Sequence, residues 1–289
     1  MPPSFGHHWP PIRRQGQRSF TLPEVLVAIT VFIIMMGILM GIVSQSSRIL
    51  QQANGQKTNR QTARILLELI GRDLENSMIG LNPVTDNLRF EVNPTSLSGS
   101  GYLNPQAAFW QTTASGNGAS TGDIIDVGYF VNWVIDSEGL AHGTLCRMTI
   151  PPTNTDSIFQ SPNRTLTAAL LNTYAPGLSN TNLGSGSAYK GLLADNVLGL
   201  WIALYDTNMV VLALPYDSRI LGARPAYADV SLAILDPIVA KRINAGNLGS
   251  ITNNYASATN AASFIEKLSQ NIQAGAQSFE SRIPLQTGQ

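Results

Sequence analysis

The stretch that decides the fold lies near the amino terminus, where residues 18–43 read RSFTLPEVLVAITVFIIMMGILMGIV. From Val25 to Val43 there are 19 residues without a charge. In a helix that rises about 1.5 Å per residue, such a run reaches about 28 Å, close to the ~30 Å hydrocarbon core of a bilayer. The stretch therefore predicts one transmembrane helix, which we place at residues 20–47.

The residues before this helix set its expected orientation. Residues 1–19 carry Arg13, Arg14 and Arg18 and no acidic residue, and the positive-inside rule keeps such a segment in the cytoplasm. A secretory signal peptide has an apolar region of about 7–15 residues followed by small residues at its cleavage site. The apolar run here is longer, and Ser-Gln-Ser-Ser-Arg follows it. We therefore expect a retained single span, with residues 48–289 outside the cytoplasm.

Pro23 and Glu24 are unusual in a membrane helix, and both become reasonable if the helix begins at Phe20 with a free amine. The first four N–H groups of a helix have no intrahelical acceptor, so Pro23 would lose no hydrogen bond there. The Glu24 N–H would then bond to the Phe20 carbonyl. The Glu24 carboxylate would lie one turn from a positive amine, near the positive end of the helix. This pattern predicts cleavage between Ser19 and Phe20.

The run from Arg18 to Leu26 resembles the prepilin motif of type IV pilins and type II secretion pseudopilins. In that family a prepilin peptidase removes a basic leader and N-methylates the new first residue, and a Glu follows as the fifth mature residue. The resemblance implies that residues 1–19 are a cytoplasmic leader, that Phe20 is methylated, and that Glu24 is the family's acid. The family usually has Gly before the cut, whereas this chain has Ser19, which is also small.

The resemblance implies that Glu24 acts in assembly. A carboxylate at mid-membrane costs about 2.5–3.5 kcal/mol on insertion scales, and the Phe20 amine of an adjacent subunit would offset that cost and set the axial register of a filament. The alternative is that Glu24 complements only its own helix dipole. Gly37 and Gly41 form a G-x-x-x-G pair that either lets neighbouring helices approach closely or marks a weak point in the helix.

Composition and motifs argue against several other classes of protein. Lys+Arg and Asp+Glu are both 18, so the net charge of zero does not favour nucleic acid as a partner. The single cysteine, Cys146, excludes a disulfide framework within the chain and a Cys-cluster zinc site.

No catalytic, cofactor-binding or metal-binding residue is predicted. His7 and His8 lie in the leader, so His142 is the only histidine of the mature chain, and we expect it to be a packed or surface residue. We expect Cys146 to be a small buried residue. Asp123, Asp126 and Asp136 could offer oxygen ligands to calcium, but they lack EF-hand spacing. The sequence carries no Walker A, Rossmann or H-E-x-x-H motif, so we expect no enzymatic activity.

Beyond residue 47 the sequence predicts an α+β domain, in which the long first helix continues and packs on an antiparallel β-sheet. Ala63, Leu66, Ile70 and Leu74 recur at helical spacing. We expect the charges of the same helix, among them Arg64, Glu68, Arg72, Asp73 and Glu75, to be solvated. Alternation and turn residues predict strands and a short helix at these positions: hairpins at 125–150 and 197–214, strands at 228–235 and 279–285, and the helix at 264–272.

Three polar regions, at 93–122, 151–190 and 241–262, are interpreted as loops. Tyr102, Phe109 and Trp110 lie in the first of them. Two alternatives are open for these aromatic residues: an exposed patch that contacts a partner subunit or cargo, or burial by a loop that folds back.

The element order resembles the large J-type minor pseudopilins of type II secretion, in which a long helix also ends in Arg-Asp-Leu, here Arg72-Asp73-Leu74, and a Leu-Pro precedes the late strands, here Leu214-Pro215. Length and the segment 194–197, Ala-Asp-Asn-Val, are similar to the pilin-like C member of the Verru_Chthon cassette. The resemblance implies a non-enzymatic pseudopilus subunit, single-pass in the bacterial inner membrane, with a periplasmic domain. Its partners would be the prepilin peptidase, other pilins, lipid and possible secreted cargo. The alternatives are a type IV pilus minor subunit and a signal-anchored periplasmic binding or hydrolytic domain.

Overall fold

A computed structural model describes the chain over residues 21–80, 88–94, 107–113, 124–152, 155, 192–220 and 223–286. The chain divides into two compact units, residues 1–51 and 52–289. Most of the predicted loop at 151–190, together with Tyr102 and Asp123, lies outside the described residues.

Helix α1 (Leu22–Glu75) is 54 residues long and runs through both units. It confirms the predicted continuation of the first helix beyond the apolar stretch. In the first unit its large apolar side chains are all exposed, from Leu22 to Val43. In the second unit the predicted stripe is buried: Ala63, Leu66, Ile70 and Leu74 are each at most 3% exposed and belong to the hydrophobic core. Apolar side chains cover every face of the helix in the first unit but only one stripe in the second, because only the second part has a protein core to pack against.

The described strands form two antiparallel sheets. The six-stranded sheet has the order β5-β4-β3-β2-β1-β7 and the three-stranded sheet the order β6-β8-β9. The strands are β1 (Phe90–Val92), β2 (Ala107–Thr113), β3 (Ile124–Ile135), β4 (Ala141–Ile150), β5 (Leu192–Asp195), β6 (Val197–Tyr205), β7 (Tyr216–Asp217), β8 (Tyr227–Leu235) and β9 (Ala276–Pro284). The α+β class is therefore confirmed, with the strands divided between two sheets.

Four short helices connect β8 to β9: α2 (Pro237–Ala240), α3 (Ala245–Thr252), α4 (Ala261–Ile265) and α5 (Gln270–Gln273). Asparagine caps start two of them, because the side chains of Asn244 and Asn260 accept hydrogen bonds from N–H groups of the first turn of α3 and α4. The interpretation of 241–262 as a loop was wrong for this reason: polar residues that suggest a loop are here helix caps. The helix expected at 264–272 is divided between α4 and α5.

Two other predictions need correction. Residues 209–214 form no strand within the described chain, where only Val211 makes an isolated bridge to Tyr205. Val210, Val211 and Leu214 are 59%, 60% and 43% exposed, and of residues 209–214 only Leu212 belongs to the core. The N–H groups of Asp206 and Leu212 donate to the carbonyl oxygens of Val210 and Leu204, so the predicted turn forms without a regular second strand. The interpretation of 93–122 as a loop missed strand β2.

Strand β2 settles the position of two of the three aromatic residues. Phe109 is 1% exposed and Trp110 is fully buried. The Trp110 ring stacks on Tyr129, with centroids 5.4 Å apart. These two residues therefore belong to the packed domain, as the second alternative had it. An aromatic pair gains favourable ring–ring contact in addition to the area that it buries.

The charged end of α1 is anchored in the core, contrary to the expectation that Asp73 is solvated. The Asp73 carboxylate accepts hydrogen bonds from the Tyr129 hydroxyl at 2.7 Å and the Arg147 guanidinium at 2.8 Å. The Trp110 indole N–H donates to the Asp73 carbonyl oxygen at 2.9 Å. The side chain of Asp73 is 9% exposed. Burial and the neighbouring carboxylate of Asp73 raise the pKa of Tyr129, so the phenol remains a donor. This cluster ties α1 to strands β2, β3 and β4.

We expect Asp73→Ala to lower the free energy of unfolding by about 3 kcal/mol, because it leaves the Arg147 charge and the Tyr129 hydroxyl without their shared acceptor. Glu75→Ala is the matched control, since Glu75 is an exposed acid in the same last turn and should change stability by about 0.5 kcal/mol or less. Urea unfolding followed by tryptophan fluorescence measures both. Equal effects of the two substitutions would contradict the anchoring role of Asp73.

Candidate functional site

The first turn of α1 is the part of the described chain that carries the predicted processing and assembly residues. In the chain that carries residues 1–19, the helix begins at Leu22; the start at Phe20 expected after cleavage stays a prediction. The Glu24 N–H donates to the Thr21 carbonyl oxygen at 3.0 Å, and the Val25 N–H donates to the same oxygen at 3.3 Å. Pro23 still lies in the first turn, where a helix needs no N–H donor. Ser19 and Phe20 lie outside the described residues.

The later start has a local cause in the Thr21-x-x-Glu24 spacing. The Oε2 atom of Glu24 accepts hydrogen bonds from the Thr21 N–H and from the Thr21 hydroxyl, both at 3.1 Å. A carboxylate at the third helical position that accepts from the backbone N–H before the helix is half of a capping box. It satisfies an N–H without an intrahelical acceptor and places negative charge at the positive end of the helix dipole.

In the single chain, Glu24 therefore complements its own helix, which was one of the two alternatives. Both hydrogen bonds use Oε2, and Oε1 accepts none from the described residues. One oxygen of the carboxylate is thus available to a cation outside the helix. The role in axial register stays a prediction, and self-capping does not compete with it for the same oxygen.

The surface beside Glu24 is a shallow depression on the exposed helix. Glu24, Val25, Ala28, Ile29 and Phe32 line it. The small side chain of Ala28 leaves space between larger neighbours, one turn from Glu24 and one turn from Phe32. A side chain of a neighbouring helix could fill such a space, as in the close helix contacts that small residues permit in membranes.

Gly37 and Gly41 also lie on this exposed part of α1. A Cβ atom added at either residue would meet no other atom within 4 Å. Neither glycine is needed for a close approach within the described chain, and α1 is continuous through both. Both original alternatives therefore stay open: a helix–helix contact surface or a weak point in the helix.

The N-terminal part of α1 has the character of a membrane anchor. Its most apolar window has a mean hydropathy of 2.9, and none of that window is buried within the chain. The large side chains from Val25 to Val43 are between 47% and 66% exposed. Apolar surface of this extent on a soluble protein would cause aggregation, and a bilayer removes that surface from water.

The other residues that were considered for chemistry occupy structural positions. Cys146 is buried, as expected, and its burial raises the pKa of the thiol to about 12. His142 Nε2 lies 2.9 Å from Asp136 Oδ2 at a partly exposed position, and this contact lowers the pKa of Asp136. Within the described residues, no three His, Cys, Asp or Glu side chains are grouped so that they could hold a metal ion.

Sequence reasoning missed a buried charge cluster on strands β1, β3 and β7 and on residues next to them. Arg219 bonds to Glu91 at 2.5 Å and to Asp217 at 2.8 Å, and Arg89 Nε lies 3.2 Å from Glu91. Asp126 is 1% exposed in the same region. The signal in the sequence was weak, because Arg89-Phe90-Glu91-Val92 alternates charged and apolar residues as an exposed edge strand does. Both carboxylate oxygens of Asp126 are buried without a hydrogen-bond partner among the described residues.

Burial raises the pKa of Asp126, and the neighbouring Arg89 only partly opposes this rise. The folded chain then holds the Asp126 proton more tightly than the unfolded chain. Stability from this group is therefore complete below the ordinary Asp pKa of about 4 and is lost as the pH rises toward the folded pKa.

We expect Asp126→Asn to remove this loss. The free energy of unfolding of the variant minus that of the natural chain should therefore be larger at about pH 8 than at about pH 4. Urea unfolding at both pH values measures the difference. The matched control is Asp206→Asn, which removes the same charge from a half-buried turn residue outside the cluster. Identical pH dependence in the natural chain and in Asp126→Asn would contradict the prediction.

Comparison with known proteins bears on the N-terminal segment. Residues 14–40 match the family model of the prokaryotic N-terminal methylation motif. Among curated proteins, none is significantly similar to this chain. A type IV-like pilin from Thermus thermophilus is similar in structure, with a TM-score of 0.35 and 12% identity over 78% of this chain and 95% of that chain. That structural similarity is too low to carry a fold or a role to this chain. The motif match confirms the predicted resemblance at the residues that carried it.

Proposed function

We propose that this type IV pilin-like chain, whose residues 14–40 carry the prepilin methylation motif, is a non-enzymatic subunit of a pilus or pseudopilus assembly. The observation that carries the proposal is the position of the motif, which extends from the basic segment into an apolar helix that no other described residue covers. A chain that only needed an anchor would need no such motif.

Processing would create the group that Glu24 lacks in the precursor. Cleavage between Ser19 and Phe20 frees an amine on Phe20, and methylation of that amine keeps it positively charged at neutral pH. The Oε1 atom of Glu24 has no hydrogen-bond donor among the described residues and is the acceptor that an amine would use. In an assembly, the amine of an adjacent subunit would reach this oxygen and set the axial offset between subunits.

The first unit supplies the packing surface for this assembly. The depression over Ala28 lies one turn from Glu24, so the same contact could combine an ion pair with close side-chain packing. Gly37 and Gly41 extend the surface of small residues toward the middle of the helix, where close approach of helices is favoured in a membrane.

Among assemblies, we propose a minor subunit of a pseudopilus for protein secretion, at or near its tip. The size of the second unit, residues 52–289, supports this position, because a large domain crowds a helical lattice. The chain would span the bacterial inner membrane once, with residues 1–19 in the cytoplasm and residues 48–289 in the periplasm. A minor subunit of a type IV pilus at the cell surface is the alternative within the same class.

The first test is the mass of the mature chain after co-expression with a prepilin peptidase. We expect the loss of residues 1–19 and one added methyl group on Phe20, because the peptidase performs both steps in the family. The same chain expressed without the peptidase is the control and should keep its leader. Ser19→Gly tests the cleavage position and should be processed at least as completely.

An intact leader in the presence of the peptidase would overturn the proposal. The chain would then be a signal-anchored domain in which Pro23 and Glu24 have only their roles in the first turn of α1.

The second test separates the two roles of Glu24. Glu24→Gln keeps an acceptor for Thr21 but removes the charge, and we expect it to weaken co-purification with partner pilins strongly. Thr21→Val is the matched control, because it removes the hydroxyl contact to Glu24 and keeps the charge. It should cost the helix start about 1 kcal/mol or less and leave co-purification near the natural level.

Membrane insertion of both variants should be unchanged, because an apolar helix of this length inserts without the acid. Carbonate extraction of membranes measures insertion. Normal co-purification of Glu24→Gln, or equal loss for Thr21→Val, would assign Glu24 to helix capping alone.

A further inference from the structure

Strand β9 lies at the edge of the three-stranded sheet, and among the described residues no strand lies beyond it. The Leu285 N–H donates to the Ala226 carbonyl, and the Asp236 N–H donates to the Gly275 carbonyl, both at 2.8 Å. Hydrogen-bonded pairs alternate along an antiparallel ladder, so the odd-numbered residues of β9 bond to β8. The N–H and C=O groups of Ser278, Glu280 and Arg282 therefore point away from the sheet.

Helix α1 runs alongside this edge in the same direction as β9. At one end, an added Cβ at Gly55 would overlap the carboxylate of Asp236. The backbone N–H of Asp236 donates to the carbonyl oxygen of Gly275, the residue before β9. At the other end, an added Cβ at Gly71 would lie 3.6 Å from the Ile283 side chain. The 16 residues from Gly55 to Gly71 rise about 24 Å in a helix, and the eight from Gly275 to Ile283 rise about 26 Å in a strand. The helix and the strand are thus matched in length.

A groove of about 780 Å³ lies between the two elements. On the β9 side, the five residues from Phe279 to Ile283 line it. Phe279, Ser281 and Ile283 are the less exposed of these and alternate with the exposed Glu280 and Arg282. On the α1 side, Leu67 and Gly71 form its apolar floor. An edge strand beside such a groove is the arrangement in which a protein accepts an added strand, with backbone bonds for affinity and alternate side chains for specificity.

The groove is basic on the helix side at one end and of mixed charge at the other. Arg60 and Arg64 lie on α1 beside the first half of β9, with Lys57 one turn earlier. Beside the second half, α1 contributes Glu68, Arg72 and Glu75, and β9 itself adds Glu280 and Arg282 to the lining. Arg60 and Arg64 are four residues apart on one helix face, where like charges destabilise a helix. Within the described residues, neither makes a salt bridge. From residue 25 to residue 67 the sequence contains no acid.

We propose that this groove takes an extended segment of a partner subunit, which adds antiparallel to β9 and carries acidic side chains in its carboxy-terminal half. The antiparallel direction continues the pattern of the sheet and places that half beside Arg60 and Arg64. The amino-terminal half would lie at the mixed end, where basic side chains can meet Glu68 and Glu75 on either side of Arg72. This inference rests on the proposed assembly role, because only a chain that joins others needs such a surface.

The test uses the full chain in detergent and a labelled synthetic peptide of about eight residues, close to the 9 residues of β9. Every second residue of this first peptide is threonine; the positions between are two lysines in the amino-terminal half and two glutamates in the carboxy-terminal half. A second peptide has the glutamates first, with the same composition and zero net charge. Fluorescence anisotropy should show about tenfold weaker binding of the second peptide, because its lysines would lie beside Arg60 and Arg64. Amide hydrogen exchange should slow at Ser278, Glu280 and Arg282 when the first peptide binds.

Arg60→Gln with Arg64→Gln should weaken binding of the first peptide about tenfold. Lys241→Gln with Arg242→Gln is the matched control, since it removes the same charge from an exposed site after α2, and it should leave binding unchanged. All four residues are exposed, so both variants should fold. Equal weakening by the two double variants would overturn the proposal, because binding would then depend on net charge alone.

Three other outcomes would also overturn it: no binding of the first peptide at about 1 mM, equal binding of the two peptides, or slowed exchange away from β9. Binding of the chain to vesicles that contain phosphatidylglycerol tests whether the basic residues contact a membrane surface instead of a partner segment. Binding to them that requires Arg60 and Arg64 and leaves β9 exchange unchanged would assign the basic residues to lipid and overturn the strand addition. The mass of the mature chain is measured on the same preparation, so failure of peptide binding and failure of processing are separate results.

Discussion

One helix has to satisfy two environments, and the rest of the structure follows from that constraint. In α1, the residues from Leu22 to Val43 expose apolar side chains on every face, which only a lipid or another helix can cover. From Ala63 to Leu74 the same helix buries a single stripe in a protein core. Hydrogen bonds within a helix satisfy the backbone in both environments, so only the side chains need to change along its length.

The second part of α1 is held by specific contacts as well as by its apolar stripe. The Asp73 carboxylate and carbonyl bring together the side chains of Tyr129, Arg147 and Trp110. These partners lie on three adjacent strands of the six-stranded sheet. An apolar stripe alone allows a helix to slide by a turn on a sheet, because side chains recur every three or four residues. Directional bonds at one residue remove that freedom and fix the register of the helix on the sheet.

The first turn shows how one carboxylate can have two roles. Glu24 caps its own helix through one oxygen, which defines the start of the helix. The proposed role in assembly would use the other oxygen. The edge of β9 is similar, because its outward backbone groups lie beside a groove that also contains Arg60 and Arg64, which form no salt bridge with another described residue. Both surfaces are incomplete within the chain, and a partner subunit would complete each of them.

The sequence by itself determined the single apolar span, the prepilin motif, the continuation of α1 and the strands β3, β4, β6, β8 and β9, because each has a periodicity or spacing that depends only on neighbouring residues. It also indicated that Cys146 is buried. Tertiary structure alone decided the burial of Asp73, the membership of Phe109 and Trp110 in β2, and the absence of a strand at 209–214 in the described chain. Those outcomes depend on which distant segment packs against each residue: a carboxylate is buried only where donors meet it, and an apolar alternation becomes a strand only where a neighbouring strand and a core are available.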